Sequence, residues 1–260
     1  MEVRFLEKSK DGMKVSFLVR GITPYFANTI RRAVIEEVPT MAIEDVEIRK
    51  NNSILYDEII AHRLGLIPLK TDLKAYNLRE ECKCKGEGCA RCQTTLTLKT
   101  SATGIITASQ LKSKDSSIVP IHDDMPIAKL GKGQSLELEA TAILGKGKVH
   151  SKWSPGHIYY YNEAKITVNN DEKLLEQFKD KYPSKIFDKS GKVDRNLINT
   201  PALIDACEGV SKLVEIERKE DCFVFVLESW GQLAPKTIIL EAVNQLENQL
   251  DEINELIKAK

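Results

Sequence analysis

A chain of 260 residues can bury a substantial core and divide into two or three domains. Its 38 Lys plus Arg are matched by 38 Asp plus Glu, so formal net charge is zero, which argues against a chain whose main work is neutralising phosphate. With 42% hydrophobic residues it is not a disordered chain, and no apolar run reaches the ~18 residues that span a bilayer.

The N-terminus, "MEVRFLEKSK", lacks the apolar middle of a signal peptide, so the expected compartment is the cytoplasm. There, clustered thiols are more often metal ligands than disulfides. Residues 3–20 read as a β-hairpin. Val15, Phe17 and Val19 alternate with Lys14, Ser16 and Leu18, and Asp11-Gly12 supplies the turn. A helix over 24–37 follows, with Thr23 as its cap and Pro24 at its first position. Phe26, Ile30, Ala33 and Val34 recur at helical spacing, and Pro39 ends the run. Arg31 and Arg32 sit beside this stripe, either as a solvated face or with one reaching a neighbouring subunit's carboxylate.

Residues 43–70 read as short strands with a helical turn in "EIIAHRLG" and an apolar strand closed by Pro68. From 96 to 168 the pattern is mostly short strands separated by Gly, Pro or Asp. "LGKGQ" at 130 and "LGKGK" at 144 do not fit GxxxxGK[ST] and read as turns. Two helices are expected in "DEKLLEQFKDKYP" and "NTPALIDACEGV", the second capped by Thr200. Then "KLVEIE", a charged turn "RKED" and "CFVFVLES" read as a second hairpin, its last strand buried on both faces. The final helix runs roughly from Pro235 to Ala259.

In this helix Ile239, Val243, Leu246, Leu250, Ile253 and Ile257 fall at alternating spacings of four and three, a heptad seam with a polar opposite face. Such a stripe can pack on its own chain's sheet. Its narrowness and its run almost to the terminus favour a partner helix. Burying six such side chains is worth on the order of 10 kcal/mol before association costs.

Cys82, Cys84, Cys89 and Cys92 follow the spacing C-x-C-x4-C-x2-C, with Gly86 and Gly88 between the halves. Four thiolates with no histidine suggest a closed structural zinc site, not a catalytic one. Disulfides or an emptied site are the alternatives, and this spacing disfavours iron–sulfur. Cys207 and Cys222 read as core residues. "HDDMP" at 122–126 could attract a cation, but no partner set completes it. No catalytic motif is present.

The expected fold is α+β. The chain ends, 1–39 and 220–260, form one discontinuous dimerisation domain of a sheet and two helices. An inserted β-rich domain spans 40–168, and a small helical third domain spans 169–219.

"FANTIRRAVIEEVPTMAIEDVEI", "DEIIAHRLGLIPL", "HSKWSPGHIYYY" and "FVFVLESWGQLAPKTIILEAVNQL" resemble, in order, blocks of the alpha-like subunits of cellular RNA polymerases, most closely the archaeal D-type. The resemblance implies a non-catalytic assembly platform for DNA-directed RNA polymerase, with the active site on the large subunits. It implies pairing with the small subunit L through helices matching 24–37 and 236–258. Small zinc-binding subunits N and P and the second-largest subunit would join, with Arg31 and Arg32 facing a large subunit and no direct sequence-specific contact with DNA. The knuckle matches the place where related subunits hold zinc, with an x4 gap one residue wider than in the eukaryotic relatives. Some archaeal members carry a ferredoxin-like cysteine cluster in the third domain. Here residues 169–219 contain only Cys207, so no iron–sulfur cluster is expected. The competing readings are a free-standing zinc-ribbon nucleic-acid binder and a cysteine-based redox protein.

Overall fold

The turn expected at Asp11-Gly12 joins the first two strands, β1 (Glu2–Lys8) and β2 (Lys14–Arg20). Gly12 takes φ 75°, where a side chain would be strained, and Asp11 Oδ1 accepts the Met13 N–H at 3.0 Å. This computed structural model describes residues 1–258.

Helix α1 (Pro24–Glu36) starts where Thr23 Oγ1 accepts the Phe26 N–H at 3.3 Å. Pro39 then opens β3 (Pro39–Asn51), a position where a strand tolerates a missing N–H. Short strands were expected here. Instead β3 is one strand with register shifts at Ile43/Asp45 and Ile48/Lys50, which break the alternation in its sequence. It pairs antiparallel with β8 (Leu136–Lys146), whose other side pairs with β4 (Gln93–Thr100). The sheet order is β3-β8-β4-β6, with β6 at Lys112–Ser113. Helix α2 (Asp57–Gly65) seats Ile60 and Leu64 in one core with Met41, Ile43, Leu96 and Leu98. The apolar "LIPL" after it is not a strand, because Leu69 makes only a single bridge to Pro120. A two-stranded ribbon pairs β5 (Gly104–Thr107) with β7 (Pro126–Leu130), and "HDDM" is the loop entering β7.

The first turn-like repeat, Gly131 to Gln134, is a turn closed by Gln134 Oε1. The second is not only a turn. Gly145 lies in β8 where a Cβ would enter the Trp153 ring, and a Cβ on Gly147 would overlap the Ile35 carbonyl oxygen.

The other sheet has the order β1-β2-β10-β9, with β9 at Gly156–Val168 and β10 at Val214–Ser229. The predicted hairpin turn at "RKED" is absent: β10 passes straight through it. Each cation in the run finds a neighbour instead of a turn. Arg218 Nη2 lies 2.5 Å from Asp205 and 2.7 Å from Glu208, and Lys219 Nζ lies 2.7 Å from Glu163, which also holds Arg20 at 3.2 Å. Cys222 to Leu227 are all buried, as expected for a strand flanked on both sides. Phe225 stacks on Phe17 at 5.2 Å, and Phe223 meets Tyr160 edge-on at 5.6 Å.

Helix α3 (Glu172–Phe178) is shorter than "DEKLLEQFKDKYP" suggested, since the chain tightens into a 3-10 turn at Lys179–Lys181 before Pro183. Helix α4 (Pro201–Cys207) is capped by Thr200 as expected. These pieces share a separate small core around Ile186, Cys207 and Leu213.

Two compact units result. One comprises Met1–Glu7, Ser16–Asn28 and Tyr159–Val226; the other comprises Lys8–Val15, Thr29–Ile158 and Leu227 onward. The second carries the last helix, α5 (Pro235–Lys258). Ala259, its expected end, lies outside the described residues.

Candidate functional site

Helix α5 buries Pro235, Ile238 and Ala242 on its own chain. Ile239 and Leu246 are half-buried. At the third turn Lys146 Nζ donates to Gln245 Oε1 at 2.9 Å. From Glu247 to Lys258 every residue is exposed, about 18 Å of helix at ~1.5 Å per residue. The expected seam residues Leu250 (60% exposed), Ile253 and Ile257 (69%) lie bare on it, and Val243 is exposed one turn before it. Leu256 on this stretch and Leu240 nearer the helix start, which the heptad count missed, are exposed as well. They flank the seam on opposite sides, Leu240 directly after Ile239 and Leu256 directly before Ile257. Scattered apolar side chains are normal on a surface, whereas a contiguous strip marks an interaction site.

Helix α1 splits its apolar stripe. Phe26 is exposed and Ile30 half-buried, whereas Val34 is fully buried inside the chain and cannot reach a partner. Arg31 is half-buried. Arg32 grips Glu36 of its own helix through two bonds of 3.1 and 2.9 Å, which holds the Glu36 carboxyl below the usual range.

The four cysteines of the loop between α2 and β4 converge. All four Sγ atoms lie within 4.8 Å of one another. The shorter separations are 3.4 Å (Cys82–Cys84), 3.5 Å (Cys82–Cys89), 3.6 Å (Cys84–Cys92) and 3.9 Å (Cys89–Cys92). Four sulfurs each ~2.3 Å from a tetrahedral metal stand ~3.8 Å apart, so the set fits one ion. Disulfides need ~2.05 Å, and the thiols are free. Gly86 and Gly88 take φ 85° and 94°, which folds the backbone between the two halves. A Cβ on Gly88 would run into the Gln93 side chain.

Backbone donors aim at the sulfurs, and the Cys89 N–H lies 3.2 Å from Cys92 Sγ. The Cys82 side chain and the Gly88 N–H pull Cys84 down to about 6, towards the thiolate that a metal requires. Burial pushes Cys92 up to about 12. Among the described residues, no other group of three or more metal-binding side chains converges.

Residues 46–158 match the family described as the RNA polymerase Rpb3/RpoA insert domain. Over its length the chain is similar to named subunits. It is 34% identical to DNA-directed RNA polymerase subunit Rpo3 of Methanosphaera stadtmanae, over 95% of each chain. It is 36% identical to Rpo3 of Methanosarcina acetivorans, over 97% of each. It is 34% identical to DNA-directed RNA polymerase II subunit rpb3 of Dictyostelium discoideum, over 97% of this chain and 93% of that one. The archaeal relatives carry the name Rpo3, not the letter D of the sequence-based expectation. No helix among the described residues is long and apolar enough to cross a membrane. This chain therefore belongs to the Rpo3/Rpb3 family of alpha-like RNA polymerase subunits.

Proposed function

We propose that the chain is a non-catalytic assembly subunit of DNA-directed RNA polymerase, the larger of its two alpha-like subunits, working in the cytoplasm. The bare aliphatic strip of α5 carries this reading. A helix that buries only Pro235, Ile238 and Ala242 on its own chain and leaves Glu247–Lys258 exposed offers that stretch to another chain. The occupant is the small alpha-like subunit, L in archaeal lettering, with Phe26 and Ile30 contributing from α1. The small subunits N and P and the second-largest subunit then dock, Arg31 and Arg32 being assigned to the latter. In this reading residues 1–39 and 220–260 form the dimerisation domain, 40–168 the insert and 169–219 a third domain without an iron–sulfur cluster.

Zinc is the ion assigned to the four-cysteine site. It would hold the loop shut, and with four protein ligands it has no open position for chemistry.

Co-expression with a small alpha-like subunit followed by size-exclusion chromatography tests the proposal. A one-to-one complex is expected, and Leu250→Asp combined with Ile253→Asp should abolish it. A chain that stays monomeric beside its partner, or a double variant that still pairs, would overturn it. A free-standing zinc-ribbon nucleic-acid binder would need no such partner.

A further inference from the structure

Whole-chain neutrality hides a local imbalance. Between 179 and 195 stand Lys179, Lys181, Lys185, Lys189, Lys192 and Arg195 against Asp180, Asp188 and Asp194. All six cations are exposed, and none forms an ion pair among the described residues. Two of the three carboxylates are turned to backbone. Asp188 Oδ1 accepts the N–H groups of Ser190 at 2.8 Å and Lys192 at 3.0 Å, and Asp194 accepts that of Asn196 at 2.8 Å.

The local fold gathers the charge. Phe187 bridges Val193, closing a tight loop in which Gly191 takes φ 80°. A Cβ on Gly191 would meet Lys179 Nζ at 3.5 Å, so Lys179 lies against this loop. Lys165, Lys192 and Arg195 line an open groove of about 650 Å³ together with Asp188 and Asp194, the two carboxylates already engaged by backbone N–H groups.

The rest of this surface limits what can bind. Between Tyr159 and Trp230 no large hydrophobic side chain is exposed among the described residues. A protein partner would ordinarily find an apolar anchor. A single strand would find an aromatic face to stack on. Here the Phe178 and Phe187 rings lie under Lys181 and Lys179, at 5.1 and 5.9 Å. We infer that this face binds the phosphodiester backbone of a nucleic-acid duplex, without reading its sequence. The inference does not depend on what covers α5.

Fluorescence anisotropy of the full chain with a labelled DNA duplex of about 20 base pairs tests it, across salt from roughly 50 to 200 mM. Log affinity should fall linearly with log salt. Lys179→Glu, Lys192→Glu and Arg195→Glu together should weaken binding by at least about tenfold and flatten the salt slope by roughly 3. The triple Lys112→Glu, Lys129→Glu and Lys132→Glu, in the other compact unit, should leave binding within about twofold. If charge reversal unfolds the chain, the corresponding Gln triple carries the test and should give a smaller loss in the same direction. No measurable binding at the lowest salt, equal loss in both triples, or competition by poly-glutamate as strong as by duplex would each overturn the inference. The last would point to an acidic protein instead.

Discussion

Lys146 Nζ stands between Gln245 Oε1 at 2.9 Å and Glu37 Oε2 at 3.2 Å, and this tie marks where α5 leaves its own chain. Before it the helix is anchored by Ile238 and Ala242; past the half-buried Leu246, every side chain from Glu247 to Lys258 is exposed. The two halves of one helix should therefore respond differently to the same chemistry. Ile238→Asp buries a carboxylate without a partner and should cost about 3 kcal/mol or more. Leu250→Asp should change stability by no more than about 0.5 kcal/mol, because it removes nothing buried. Urea midpoints of the two variants check this, and equal destabilisation would contradict the division of the helix.

Cys89→Ser removes one of four converging sulfurs. A tetrahedral ion held by three thiolates is bound more weakly, and the loop loses its closure. The variant is expected to bind less than one equivalent of zinc by elemental analysis. It should show faster hydrogen exchange over residues 76–93 and keep its pairing through α5. Loss of pairing would mean that the knuckle supports the interface.

The Tyr76 hydroxyl donates to Asp115 Oδ2 at 2.6 Å. Burial first, and this bond second, push Tyr76 up to about 12. The same bond, then the Ser117 N–H and hydroxyl, hold Asp115 below the usual carboxylate range. For Tyr76 the folded value exceeds the unfolded ~10, so its contribution is complete below pH ~10 and is lost as pH rises through about 12. For Asp115 the folded value lies below the unfolded ~3.9, so its contribution is complete above that and is lost as pH falls through the lowered value. Tyr76→Phe should flatten both flanks of a stability–pH curve while leaving its middle nearly level. An unchanged alkaline flank would show that the tyrosine does not set it.

Gly147 follows the end of β8, and Lys148 N–H donates to the Glu36 carbonyl at 3.0 Å. A Cβ at 147 would occupy the place of the Ile35 carbonyl oxygen. Both partners are backbone, so neither yields without shifting an element. Gly147→Ala should cost about 2–4 kcal/mol, read as a lowered urea midpoint. Gly133→Ala makes a control. Nothing lies within 4 Å of a Cβ there, so only its positive φ of 78° opposes the change.

Much of this was legible from residue order. Thr23, Thr200 and Gly12 announced their caps and turn because each acts on backbone within three residues. The buried run Cys222–Leu227 announced a central strand by having no polar face. The knuckle was legible because ligand spacing is local. What failed depended on distant partners. The "RKED" run looks like a turn until Glu163, Asp205 and Glu208 are brought beside it. Val34 and Phe26 belong to one periodic stripe, and only packing separates the buried residue from the bare one. Gly145 and Gly147 read as loop glycines because Trp153 and Ile35 are remote in sequence.

The bare end of α5 bears on how much of this polypeptide a cell can hold. Copies synthesised beyond the supply of their mate keep Leu250, Ile253, Leu256 and Ile257 in water. Such orphans would adhere to one another or be taken by proteolysis, so abundance should track the scarcer of the two chains, whatever the rate of synthesis of this one.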